Sequence, residues 1–200
     1  MPTVQRTTVI ANRRPTSTEV MSKAQREASF THKSLPATDK VRKAGVALDQ
    51  TWGDENIMSG VAGALTGKLS RSLTSAQASQ WATDMLATGL SLTDGKVRTR
   101  GEVTTKSSAV DAKTLTALST IIAGDGFCYD TSNPANVTQV RKEIAALVTS
   151  LGSLKDLKLV QAQREVKVGD NDWRTATVSI LVNTKTNTYA GFYTRGGWDA

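Results

Sequence analysis

Apolar residues in the first two thirds of the chain recur at helical spacing. Four stretches place them three or four positions apart: residues 54–69, 74–88, 107–124 and 134–151. The last three also carry a capping residue and a closing glycine, and the final one is the clearest because Pro134 suits a first helical turn and Gly152 follows its end. Shorter helices are predicted at residues 18–28 and 38–51. The pattern predicts about four core helices.

Beyond residue 156 apolar and polar residues alternate instead. Val160 and Ala162 belong to one alternating run, Val178 and Ile180 to the next, and residues 189–195 form a third. Polar turns at residues 169–172 and 184–187 separate the runs. This pattern predicts a small three-stranded antiparallel β-meander with one face toward the helices. The predicted fold class is α+β: a mainly helical body that ends in the meander, preceded by an extended basic N-terminal arm.

Positive charge divides the chain at about residue 45. Residues 1–45 hold nine basic and three acidic side chains, which gives +6 of the +7 formal net charge, whereas residues 46–200 hold 16 basic and 15 acidic ones. The first stretch also lacks a sustained apolar period. We therefore divide the chain into a basic arm, residues 1–45, and a nearly neutral body, residues 46–200. Such an asymmetry indicates a polyanionic partner.

The residues that carry catalytic or metal chemistry are scarce. One cysteine, Cys128, excludes an internal disulfide and a cysteine-rich zinc site, and one histidine, His32, leaves few routes to a nucleophilic triad. Asp125 and Asp130 flank an aromatic pair, but helix capping and loop turns explain them more simply than catalysis. We predict no enzyme, no metal site and no cofactor. No run approaches the roughly 18 apolar residues of a membrane span, so no membrane partner is expected.

Basic side chains are the candidate nucleic-acid contacts, because phosphate contacts require charge and reach but little fixed geometry. A second basic group, in the loop between residues 91 and 106, interrupts the neutral body and either extends the path of a nucleic acid or is a solvated loop. The predicted contacts are Arg13, Arg14, Arg26, Lys33, Arg42 and Lys43 in the arm and Arg98 and Arg100 in this loop.

The last predicted strand offers aromatic residues as well. If Phe192 faces the core, then Tyr189, Tyr193 and Arg195 stand on the outer face of the sheet. Bases stack on such surfaces in RNA-binding sheets. Ordinary sheet surface or a subunit contact explains the same residues equally well.

These features favour a structural, self-assembling nucleic-acid-packaging protein, such as a viral coat or nucleocapsid protein. Its partners would be nucleic acid and copies of itself, and RNA is favoured over DNA because a flexible arm suits single strands. The expected location is the virion, or otherwise the cytoplasm. The alternative is a cellular ribonucleoprotein subunit or adaptor that threads a basic arm into RNA without polymerising.

Overall fold

The computed structural model describes residues 19–30, 57–94, 102–122, 134–167 and 172–199. The helix predicted at residues 38–51 and the aspartates at positions 125 and 130 lie outside these ranges. The described residues form four α-helices, one short 3-10 helix at Leu154–Asp156, and five strands. The helices are α1 (Lys23–Ser29), α2 (Ser75–Asp94), α3 (Ala112–Ile122) and α4 (Pro134–Leu151); the strands are β1 (Ile57–Lys68), β2 (Val103–Ala109), β3 (Leu157–Lys167), β4 (Asp172–Asn183) and β5 (Thr188–Asp199).

All five strands form one antiparallel sheet in the order β1-β5-β4-β3-β2. The prediction of a helical body that ends in a three-stranded meander is therefore wrong, although the fold remains a mixture of helices and strands. Strands β3, β4 and β5 do follow one another as a meander, but they are the centre of the sheet. Two strands from earlier in the chain complete its edges.

Strand β1 replaces the helix predicted at residues 54–69. Apolar residues four apart share a face in a helix, but they also share a face in a strand, where the period is two. The register with β5 then shifts between Val61 and Gly63, which leaves Ala62 without a partner as a β-bulge. Gly67 shows why the stretch is rich in glycine, since a Cβ atom there would lie 2.5 Å from the Tyr189 hydroxyl.

Strand β2 lies within a stretch that the sequence pattern assigned to a polar loop and a helix cap. Its residues are mostly exposed, so no alternation of apolar and polar side chains marks it. Helix α3 begins after it, where the Asp111 carboxylate accepts a hydrogen bond from the Thr114 amide at 2.7 Å. That contact and one from the Thr114 hydroxyl lower the pKa of Asp111. The helix cap is thus Asp111, and the helix start predicted at residue 107 is wrong.

The sheet is covered on both faces, so the core has two halves. Helices α3 and α4 pack on one face over Leu159, Leu181 and Phe192, among others. Helix α2 packs on the other face, where Trp81 and Met85 meet a second set of strand residues. The expected helix at 134–151 is confirmed. The fold has three layers, with the sheet in the middle.

Helix α2 joins the two edge strands, because it follows β1 and precedes β2 along the chain. The helix predicted at 74–88 is confirmed but runs on to Asp94, so Gly89 does not end it. None of the helices in the described part of the chain is both long enough and apolar enough to cross a membrane.

Candidate nucleic-acid interface

Of the eight predicted nucleic-acid contacts, Arg26 lies within the described residues. The other seven, Arg13, Arg14, Lys33, Arg42, Lys43, Arg98 and Arg100, lie outside them. For those seven the structure supplies the positions at which their segments join the described part of the chain.

Arg26 is held in a network between α1 and α2. Its Nη1 donates to the Glu19 carboxylate at 2.7 Å and to the Met21 carbonyl oxygen at 2.6 Å, and its Nε donates to the Thr88 hydroxyl at 3.2 Å. The Asp84 carboxylate lies 4.0 Å from Nη1, and the Arg26 side chain is 14 % exposed. These contacts give the guanidinium a structural role in docking α1. A phosphate contact at Arg26 would have to compete with them, and that contact stays a prediction.

The rest of this segment adds apolar and sulfur contacts. The Met21 Sδ atom accepts a hydrogen bond from the Trp81 indole at 3.2 Å and lies 3.6 Å from the Tyr189 hydroxyl, which donates to it. Phe30 meets the Tyr193 ring edge to face, with centroids 6.2 Å apart. Residues 19–30 are thus anchored on α2 and β5. The anchored segment divides the predicted arm, since residues 1–18 precede it and residues 31–45 follow it.

The tyrosines of β5 are part of the core. Tyr193 is 0 % and Tyr189 2 % exposed, and both pack under α2, on the face opposite Phe192. The Tyr189 ring meets Trp81 edge to face at 5.0 Å, and burial raises the pKa of its phenol. The expectation that these two rings stand on an outer face and stack on bases is therefore wrong. It failed because both faces of β5 are covered, so Phe192 facing one core does not expose its neighbours.

Polar side chains occupy the part of the α3–α4 face that lies beyond the apolar core. Gln161 and Gln163 of β3 face this side, where the register places Gln161 opposite Lys106 and Gln163 opposite Thr104 of β2. Gln163, Lys106 and Thr104 are exposed, whereas Gln161 is half-buried and donates to the buried Ser179 hydroxyl at 2.9 Å. We call Thr104, Lys106, Gln161 and Gln163 the polar sheet surface. It offers amide, hydroxyl and ammonium groups, which bind phosphate and base edges.

Basic positions gather at the end of the sheet where β1 and β2 begin. We call this the basic end. Arg164 is paired with Ala176, and Ala176 is paired with Arg195, so the two arginine positions flank one alanine on the same face. Position 174 lies two residues before Ala176 on the same strand and is also an arginine. Acidic positions are interspersed there as well. Among the described residues, Glu102, Glu165, Asp172 and Asp199 balance Arg164, Lys167, Arg174 and Arg195, so the name refers to the basic positions and not to a net charge.

The predicted loop contacts Arg98 and Arg100 precede β2 in the sequence and lie outside the described residues. Val103, the first residue of β2, pairs with Arg164. Arg100 precedes Val103 by three residues, so its Cα lies within about 11 Å of the Val103 Cα. Residues 95–101 hold three basic side chains and no acidic one. These residues lie outside the described ranges, so their contribution to this end of the sheet stays a prediction.

The sequence did identify the loop but not the strand residues that it joins. Arg164 and Arg174 appear as ordinary polar positions in alternating strands, and only the register shows that they are neighbours. Lys106 was assigned to a loop because β2 has no apolar face. Gln161 and Gln163 had a usable signal, since they alternate with the buried Val160 and Ala162.

Within the described ranges no group of three or more His, Cys, Asp or Glu side chains is arranged to hold a metal ion. The arrangement offers hydrogen bonds and positive charge, which suits binding. No protein-family model, curated protein or solved structure matches this chain.

Proposed function

We propose that this chain is a structural nucleic-acid-packaging protein of the viral coat or nucleocapsid type, which binds RNA without reading its sequence and assembles with copies of itself. The observation that carries the proposal is the charge distribution, because residues 1–45 hold +6 of the +7 net charge. Segregated charge of this kind attracts a polyanion by releasing its counterions.

The anchoring of residues 19–30 supports this proposal. Because Met21 and Arg26 fix the segment on α2, the basic residues before and after it extend from one defined place on the fold. Arg13 and Arg14 lie within ten residues of Ser22, the N-cap of α1. Basic residues tethered to a fixed point stay within a limited volume, which raises the local concentration of cations around a bound polymer.

The basic end and the polar sheet surface support the proposal from the body. In this arrangement the arm neutralises phosphates, while Lys106, Gln161 and Gln163 add hydrogen bonds to the same strand. None of these groups requires a particular base. Non-specific binding with strong dependence on salt is therefore the expected behaviour.

The salt dependence of RNA binding tests this function. Binding of the full chain to a labelled single-stranded RNA is measured over a salt series, and the slope of log K against log salt gives the number of phosphate contacts. The R13Q/R14Q variant should lower the magnitude of that slope by about 1.4, since each lost contact with a single strand removes about 0.7. Duplex DNA as competitor tests the preference for RNA.

A matched control uses two exposed lysines at the opposite end of the sheet. Lys155 and Lys158 are exposed, and Lys158 pairs with Val182 far from the basic end. The K155Q/K158Q variant loses the same charge, so it should retain the wild-type slope. An equal decrease of the salt slope in both variants, or no RNA binding by the wild type, would contradict the proposal.

Electron microscopy of the purified protein with RNA separates packaging from the adaptor alternative. Filaments or shells are the expected result. Monodisperse particles with one copy per RNA segment would instead favour a ribonucleoprotein subunit.

A further inference from the structure

The sheet has two outer edges, and they differ in how well they are protected. In the described residues no strand pairs with the outer side of β1 or with that of β2. An unpaired edge presents backbone N–H and C=O groups that can bind another strand. Proteins prevent this pairing with short edge strands, with charge in the strand, with proline, or with bulges.

Strand β2 is a protected edge. It is seven residues long, and its middle residue is Lys106, which is exposed. If β2 paired antiparallel with its own copy about the strand midpoint, the two Lys106 residues would lie opposite each other. Like charges in directly opposed positions destabilise a strand pair. Strand β2 is therefore a poor surface for self-association.

Strand β1 is a permissive edge. It is twelve residues long, it contains no proline, and Lys68 at its end is its one charged residue. Antiparallel pairing with its own copy about the midpoint would place each Lys68 beside Ile57 of the other copy. The two lysines would then be separated by the length of the strand, about 36 Å. The bulge at Ala62 is the one protective feature that β1 carries.

We propose that the outer edge of β1 pairs antiparallel with the β1 edge of a second copy, about a twofold axis, to form a ten-stranded sheet. An axis perpendicular to the sheet keeps corresponding faces together. The polar sheet surfaces of both copies then lie on one side of the dimer, while the two basic ends point in opposite directions. The proposal rests on the self-assembly part of the proposed function and is independent of RNA binding.

Distances between copies test the pairing directly. A single spin label is placed at the exposed Thr105 of β2 in a Cys128→Ser background, and the label-to-label distance is measured in nucleic-acid-free protein at high salt. Pairing through β1 places the two β2 strands nine strand spacings apart, about 43 Å. Pairing through β2 would bring the same labels within about 20 Å and would overturn the proposal.

A charge placed in the middle of β1 supplies the matched variant. Ala62→Lys places a charged side chain beside the midpoint of β1, opposite residue 63 of the other copy, at a position without a partner in β5. Charge within an edge strand disfavours pairing with another strand, so the dimer dissociation constant, from sedimentation equilibrium, should rise by about tenfold or more. Thr105→Lys on the other edge should leave that constant unchanged. Circular dichroism verifies that both variants fold.

Three results would overturn the proposal: a wild type that stays monomeric at the highest concentration reached, an Ala62→Lys variant that dimerises as the wild type does, or a short Thr105 distance. A monomer would mean that the β1 edge does not bind a second copy. RNA binding is measured separately with the salt series, so loss of the dimer with intact binding refutes only the pairing.

Discussion

At the scale of single residues, Gly89 is fixed by a ring from another layer. A Cβ atom at position 89 would lie 2.8 Å from Cδ2 of Tyr193 and 2.9 Å from its Cε2. Tyr193 is fully buried between α2 and the sheet. Glycine in the interior of α2 weakens the helix by about 1 kcal/mol relative to alanine. In return, the absence of a Cβ atom at Gly89 allows the helix and the sheet to approach closely.

We therefore predict that exchanging glycine and alanine at two nearby positions of α2 destabilises the protein in both cases, for different reasons. Gly89→Ala should lower the free energy of unfolding by about 1–2 kcal/mol, because overpacking outweighs the gain in helix propensity. Ala87 is exposed on the same helix, so Ala87→Gly should also lower it, by about 1 kcal/mol, through propensity alone. Urea denaturation of both variants measures the two values. An increase in stability for Gly89→Ala would show that the Tyr193 ring can move.

Tyr189 predicts a loss of stability in alkali. Burial raises the pKa of its phenol above the ordinary value of 10.0. Between the unfolded and the folded pKa the native state holds a proton that the unfolded state has lost, so stability is complete below pH 10 and falls as pH rises through the folded pKa. Tyr189→Phe removes the ionising group, and its free energy of unfolding should decline less steeply above about pH 10. Equal slopes for the two proteins would refute this assignment.

At the scale of elements, α1 depends on its contacts with the body. Seven residues are too few for a stable isolated helix, and the capping box at Ser22 and Gln25 satisfies only its first amides. Docking through Arg26, Met21 and Phe30 supplies the rest. The stability of α1 therefore depends on those contacts.

Arg26→Met should release α1 without unfolding the sheet. The charged hydrogen bonds of Arg26 contribute about 1–3 kcal/mol, so amide exchange in residues 23–29 should accelerate at least about tenfold. The control is Lys23→Met on the same helix, because Lys23 is 75 % exposed and has a 3.7 Å contact with Glu27. Hydrogen exchange read by mass spectrometry compares the two. Unchanged protection in Arg26→Met would mean that Met21 and Phe30 hold the helix alone.

The elements also show where the sequence pattern was informative. Helix α4 was predictable because Ile144, Leu147 and Leu151 mark one buried stripe between a proline and a glycine. Strands β3 to β5 were predictable from strict alternation. Strand β1 was not, because its apolar residues are four apart and because the bulge at Ala62 moves Val61 and Leu65 to opposite faces. Strand β2 gave no pattern, since an exposed edge buries neither face.

At the scale of the whole molecule, the anchored segment changes what a truncation removes. Deleting residues 1–18 removes three basic residues, Arg6, Arg13 and Arg14, and leaves every described contact that holds α1 in place. The melting temperature of this truncated protein should equal that of the full chain, while the magnitude of its salt slope for RNA binding should fall by about 2. Deleting residues 1–45 also removes Met21 and Arg26, so that variant should melt earlier. Calorimetry beside the salt series measures both properties.

The candidate interface is an arrangement that single-sequence reasoning reaches only in part. Charge counting found the arm and the loop around Arg98 because charge is visible without a fold. Lys106, Arg164 and Arg195 needed the register, since their neighbours come from strands far apart in sequence. The exposure of Tyr189 and Tyr193 was predicted wrongly, because the sequence of one strand does not reveal whether a helix covers its second face.

The pairing of β1 with β5 has a consequence for synthesis of the protein. The ribosome releases β1 before α2, α3, α4 and every other strand, and β5 is the last strand to emerge. Until then β1 is a glycine-rich segment with a single charge, on Lys68, and its backbone has no partner among the described strands. The nascent chain is thus most exposed to mispairing at the segment that the finished fold uses as its edge.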